Sequence, residues 1–89
     1  MDLTVLEETN TKFVFQLKRE THTFCNALKN ELLKVKGVDI IAYRVDHPLI
    51  GIPQFLLQTK GIEPRKALKE ALKNLQKKAE EFKSAVADL

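Results

Sequence analysis

The sequence predicts an α+β fold of order ββαββα, a four-stranded antiparallel sheet with two helices on one face and a long, overhanging C-terminal helix. Three observations predict it. The apolar positions Leu68, Leu72, Leu75, Ala79, Phe82, Val86 and Leu89 step alternately by four and three, which keeps an apolar seam on one side of a helix. Phe13, Phe15 and Leu17 alternate with Lys12, Gln16 and Lys18 at the two-residue period of a strand. Phe24, Leu28, Leu32 and Val35 recur at helical spacing between two strand-like segments.

Taken in order, Leu3 to Leu6 is a short apolar run, and Glu8 to Thr11 supplies turn residues before the next strand, which together predict a hairpin. Phe13, Phe15 and Leu17 should face the core, with Val14 on the wetter side. The first helix begins near His22, capped by Thr21 or Thr23, with Cys25 and Ala27 near its apolar face. Lys29, Asn30, Lys34 and Lys36 mark its exposed side, the last-turn lysines complement the helix dipole, and Gly37 is placed to stop it.

Val38 to Val45 is β-branched and apolar on both sides, with Ile40 and Ala42 facing one way and Ile41, Tyr43 and Val45 the other, and this predicts a central strand. His47 and Pro48 end it, since the residue before a proline is pushed to extended geometry and proline cannot donate to a ladder. Gly51 and Pro53 continue the loop. Gln54 to Thr59 predicts the fourth strand, with Phe55 and Leu57 on one face. Lys60 and Gly61 then lead to the last helix, whose start is marked by Glu63 and by Pro64 in the first turn, where a missing N–H costs nothing.

From Glu63 to Leu89 that helix would run roughly 40 Å, against about 23 Å for a seven-residue strand, so it should overhang its own sheet. Ala67 and Ala71 widen the apolar face of its first half, whereas beyond Leu75 only the narrow seam remains among Lys77, Lys78, Glu80, Glu81 and Lys83. A wide face suits a sheet and a narrow one suits another helix. Burying the larger seam side chains is worth at most about 10 kcal/mol, comparable to the whole stability of a small domain. The seam therefore predicts a protein partner, the plainer alternative being a helix folded back on its own core.

With 89 residues the chain reads as one domain, 1–89, which buries only roughly 60 to 65% of its unfolded surface and would gain from a second chain. No segment has the length and apolarity of a membrane span, and the start, with Asp2, Glu7 and Glu8, is unlike a signal peptide, so a cytoplasmic location is expected. The single cysteine excludes an internal disulfide framework. The net charge of +3 comes from lysines interleaved with glutamates, with no Trp and one Tyr, so direct nucleic-acid binding is not expected and remains only an alternative.

Cys25, His22 and His47 are the residues from which a catalytic or metal site would have to start, and they are too few for either. Gly37, Gly51 and Gly61 stand alone, without a phosphate loop or dinucleotide fingerprint. Glu63, Glu70, Glu80 and Glu81 lie among lysines at the spacing of a solvated helix face. No catalytic residue, cofactor or metal is expected in this chain.

Two motifs carry a resemblance. Glu20-Thr21-His22-Thr23-Phe24-Cys25-Asn26-Ala27-Leu28 resembles the signature of the small alpha-like subunits of archaeal and eukaryotic RNA polymerases, typically Glu-Asp-His-Thr-Leu, a small residue, Asn and Leu. Glu20, His22, Thr23, Asn26 and Leu28 match, while Thr21 replaces the acidic residue and Phe24 the leucine. Tyr43, His47, Pro48 and Leu49 match a second motif at the family's separation, with Asp46 where a proline is frequent. Gln58, Thr59, Pro64, Ala67 and Leu68 continue in the family's manner, so the resemblance covers nearly the whole chain and is nearest to the archaeal branch, the L subunits.

The resemblance implies a domain similar to the dimerisation domain of the bacterial alpha subunit. It further implies a non-catalytic assembly subunit of a DNA-dependent RNA polymerase, forming a heterodimer with the larger, D-type alpha-like subunit as a platform for the large subunits, where the active site lies. The expected interface is Phe24, Leu28, Leu32, Leu68, Leu72, Leu75, Phe82 and Val86, and the His47–Leu49 loop would be shaped for structure or for a further subunit. A symmetric homodimer through the same seam is the alternative from another class.

Overall fold

A computed structural model describes residues 2–45 and 51–89. The elements run β1 (Asp2–Glu8), β2 (Lys12–Lys18), α1 (His22–Lys34), β3 (Val38–Arg44), β4 (Gln54–Thr59) and α2 (Pro64–Ala87). The strands form one antiparallel sheet in the order β1-β2-β4-β3. The predicted architecture is the observed one, including the long last helix.

Local chemistry accounts for the boundaries. The Thr9 hydroxyl accepts from the Lys12 N–H at 2.9 Å and holds the β1–β2 turn. Thr21, of the two proposed caps, accepts from the Phe24 N–H at 3.1 Å and closes the free N-terminus of α1. Lys34 is the last helical residue, Val35 is extended, and Gly37 turns the chain into β3 with φ +97°. Pro64 opens α2 directly after Glu63, as predicted, although the Glu63 side chain makes no capping bond.

The core is a single layer between sheet and helices. Phe13, Phe15 and Leu17 from β2, Phe55 and Leu57 from β4, and Ile41 from β3 face Cys25, Leu28 and Leu32 of α1 and Ala67, Leu68 and Ala71 of α2. An aromatic row crosses it: Phe13 and Phe15 lie 5.1 Å apart, Phe15 stacks on Phe55 at 5.0 Å, and Phe55 on Tyr43 at 5.2 Å. Side by side over the sheet, α1 lies above β3 and α2 above β4 and β2.

One expectation is overturned. β3 is an edge strand, and β4 takes the central place between β2 and β3. Ile41 and Tyr43 pair with Leu57 and Phe55 on the helix-bearing face, whereas Ile40 and Ala42 pair with Gln58 and Leu56 on the outer face, where Ile40 is 44% exposed. A strand that is apolar on both sides shows this pattern whether its second side is covered or wet, so the period alone cannot assign its neighbours. The strand also ends at Arg44, one residue before the predicted Val45.

Candidate dimerisation surface

Burial falls steadily along α2. Ala67 and Ala71 are fully buried and Leu68 nearly so, Leu72 and Leu75 are half-buried against the core, and the seam then runs into solvent. Phe82 is 71% exposed and Val86 50%, with Leu89 fully exposed just past the helix. The 24 residues of α2 span roughly 36 Å, whereas the six residues of β4 beneath it cover about 20 Å. The overhang is a consequence of those two lengths.

Two ion pairs hold α2 at its start and at the point where it leaves the core. Arg65 in the first turn donates from both Nε and Nη2 to the Glu8 carboxylate on β1, the Nη2 bond being 2.8 Å, and its guanidinium lies 5.4 Å from the centre of the Phe13 ring. Farther along, Lys78 donates to the carboxylate of Glu31 on α1, with Lys34 a further 3.6 Å neighbour. Glu31 is buried, yet the Lys78 bond, aided by Lys34, outweighs the effect of burial and holds its carboxyl below the usual range. Beyond Lys78, every residue of α2 is exposed.

The predicted interface residues divide into three groups. Leu28 and Leu32 are fully buried in the chain's own core and support the surface from beneath, and Leu68 is nearly so. Phe24, Leu72 and Leu75 are partly covered at the rim. Phe82 and Val86 carry the exposed apolar area. Sequence reasoning missed Glu31, Glu8 and Arg65. Glu31 lies between Leu28 and Leu32 and so falls on the inward stripe of α1, which was the available signal.

The two short motifs meet in space. The Tyr43 hydroxyl donates to Asn26 Oδ1 at 3.0 Å, joining the edge strand to α1. His22 and Thr23 occupy the exposed first turn of α1, with Glu20 just before it. His47, Pro48 and Leu49 lie outside the described residues. Cys25 is fully buried, and burial pushes its thiol up. Among the described residues no three His, Cys, Asp or Glu side chains are grouped so as to hold a metal ion, and no helix is long and apolar enough to cross a membrane.

The family model for the RNA polymerase Rpb3/Rpb11 dimerisation domain matches residues 12–85, from the second strand to the exposed end of α2. The chain belongs to this dimerisation-domain family. A DNA-directed RNA polymerase subunit Rpo11 from Nanoarchaeum equitans is 41% identical over 83 residues, covering 92% of this chain and 86% of that protein. An Rpo11 subunit from Methanothermobacter thermautotrophicus is 33% identical over the full length of both chains. The crystal structure of RNA polymerase subunit L from Thermoplasma acidophilum superposes with a TM-score of 0.87 at 26% identity, covering 98% of this chain and 86% of that one. The resemblance to the archaeal L subunits, carried by the two motifs, is thus matched in sequence and fold. As a member of the Rpb3/Rpb11 family the chain is of a class of RNA polymerase subunits that dimerise, and α2 lies almost wholly within the matched region.

Proposed function

We propose that this chain, residues 1–89 acting as one alpha-like dimerisation domain, forms a heterodimer with the larger, D-type alpha-like subunit of an RNA polymerase. The pair serves in the cytoplasm as the platform on which the large subunits assemble. The chain contributes no catalytic residue, and nucleotidyl transfer belongs to the large subunits. The observation that carries the reading is the overhang of α2, where Phe82 and Val86 continue the seam of Leu68, Leu72 and Leu75 past the edge of the core and stand 71% and 50% exposed. An apolar stripe of one or two residues per turn fits a second helix, and the match to a dimerisation domain supports a second chain as its source.

The test is a tagged pull-down from native extract, with retained proteins identified by mass spectrometry. Recovery of the larger alpha-like subunit with the polymerase core is expected, and recovery of this chain alone at dimer mass would replace the reading with a homodimer. Phe82→Asp should abolish copurification, because it would place an unpaired charge in the buried contact. Leu75→Asp should do the same, and undiminished pairing of either variant removes that residue from the interface.

A further inference from the structure

Glu31 is an acid on the inward stripe of α1, between Leu28 and Leu32, and only 3% exposed. A carboxylate in that position needs a cation, and Lys34, one turn on in the same helix, comes no nearer than 3.6 Å. The hydrogen bond comes from Lys78 of α2. Lys78 lies past Leu75, the last seam residue packed on the core, in a stretch whose residues 76–78 are exposed. A helix held by apolar packing alone would fray back to Leu75. Unwinding the 75–78 turn, however, leaves a buried carboxylate with Lys34 beyond hydrogen-bond reach, so the Lys78 bond keeps α2 wound about one turn farther than its packing extends.

That turn is the one on which the overhang is built. In a helix the carbonyls of Leu75, Gln76, Lys77 and Lys78 accept from the N–H groups of Ala79, Glu80, Glu81 and Phe82. A chain that already holds those four carbonyls in line gains one bond for each residue it orders, whereas a new helix must fix several residues for its first bond. Side chains four apart share one side of a helix, so holding Lys78 against α1 also sets the direction in which Phe82 faces.

We infer that Glu31 is a positioning residue for dimerisation: its bond to Lys78 keeps the 75–78 turn wound in the unpaired chain, and the seam through Phe82 and Val86 winds on from that turn as the partner is bound. The inference rests on the heterodimer reading above. Glu31 is too deeply buried to touch a second chain, so its effect on pairing passes through Lys78.

The test compares variants of the chain alone and with the larger alpha-like subunit of the same organism. Glu31→Leu suits the apolar stripe and releases Lys78, whose side chain is already 56% exposed, to water, so the melting temperature should stay near its original value. Amide protection over residues 75–78 of the isolated chain should nevertheless fall to that of residues 79–87, and affinity for the partner should drop about tenfold, the scale of one charge-assisted hydrogen bond. Lys78→Ala should act alike even though alanine is the best helix former, and Lys78→Arg, which keeps the bond, should hold affinity within about threefold. Ile41→Val, a core truncation on β3, lowers stability without touching the turn and should leave affinity within about twofold. Should Glu31→Leu fail to fold, Lys78→Ala, a change at the surface, carries the same comparison. Full affinity of Glu31→Leu beside a wild-type chain that pairs overturns the positioning role and leaves the heterodimer standing. An equal loss of affinity in Ile41→Val at matched stability also overturns it, by reducing Glu31 to a stability role. A wild-type chain that does not pair with the larger subunit overturns the heterodimer reading and, with it, this role in dimerisation, whereas unchanged exchange of residues 75–78 in the isolated variants overturns the positioning role alone.

Discussion

Glu31 on α1 accepts a charge-assisted hydrogen bond from Lys78 on α2, with only 4% of the Glu31 side chain exposed against 56% of the lysine. The lysine stem reaches down from a wet surface to a dry carboxylate, so the pair keeps both charges. Lys78 lies one turn past Leu75, the last seam residue packed on the core, and the bond therefore fixes the direction in which the overhang leaves.

A carboxyl held below its usual value in the folded state binds fewer protons there than in the unfolded chain, so stability rises with pH across that window. The contribution of Glu31 is therefore complete above the usual carboxylate range and is lost as pH falls through its lowered folded value. Glu8, lowered chiefly by its bond from Arg65, acts in the same direction. Urea denaturation between pH 7 and pH 3 should show a stability loss that Glu31→Gln reduces and Glu31→Gln with Glu8→Gln reduces further. A slope unchanged in the double variant would remove both pairs from the acid response.

Glu31 also shows where sequence reading stops. Strands β2 and β4, a threonine cap at Thr21 or Thr23, the Pro64 start, the core face of Phe13, Phe15 and Leu17 and the shared face of Phe55 and Leu57 were legible, because each depends on local period or local hydrogen bonding. The neighbours of β3 and the partner of Glu31 depend on which distant segment arrives beside them. The exposed end of α2 was legible from length alone, whereas the bond that holds the turn before it needed the side-by-side placement of both helices.

Gly37 should not accept a side chain. Its φ of +97° is unfavourable for an L-residue, and a Cβ there would meet Ile62 Cγ2 at 2.6 Å and the Lys60 carbonyl oxygen at 2.9 Å. The Gly37 carbonyl in turn accepts from the Lys60 N–H at 2.7 Å, which limits any shift. Gly37→Ala should cost about 1–3 kcal/mol, the usual range for a strained backbone position, lowering the melting temperature by roughly 4–8 °C per kcal/mol in a domain of this size. An unchanged melting curve would show that the α1–β3 turn can relax.

The Tyr43–Asn26 bond joins the two motifs across the α1–β3 contact. Tyr43 also stacks on Phe55, so Tyr43→Phe keeps the ring and removes only the hydroxyl. Because the bond is exposed, its coupling energy should fall near the low end of the usual range, about 0.5 kcal/mol. A double-mutant cycle of Tyr43→Phe and Asn26→Ala, read by chemical denaturation, measures it. Additive losses would mean that the bond contributes nothing in solution.

The last prediction concerns the overhang before it meets a partner. Residues 76–87 of α2 are exposed throughout, and past Lys78 the seam has no surface to lie on among the described residues. A helical segment of this length without tertiary packing is marginal in water. In the isolated chain, amide hydrogen exchange should therefore show little protection over residues 79–87 and strong protection over residues 67–75, whose helix packs on the core. Binding the larger alpha-like partner should raise protection in the first stretch by orders of magnitude and leave the second nearly unchanged. Equal protection along the whole of α2 in the isolated chain would mean that the helix propagates rigidly from its Glu31 anchor, and that the seam is preformed before it is buried.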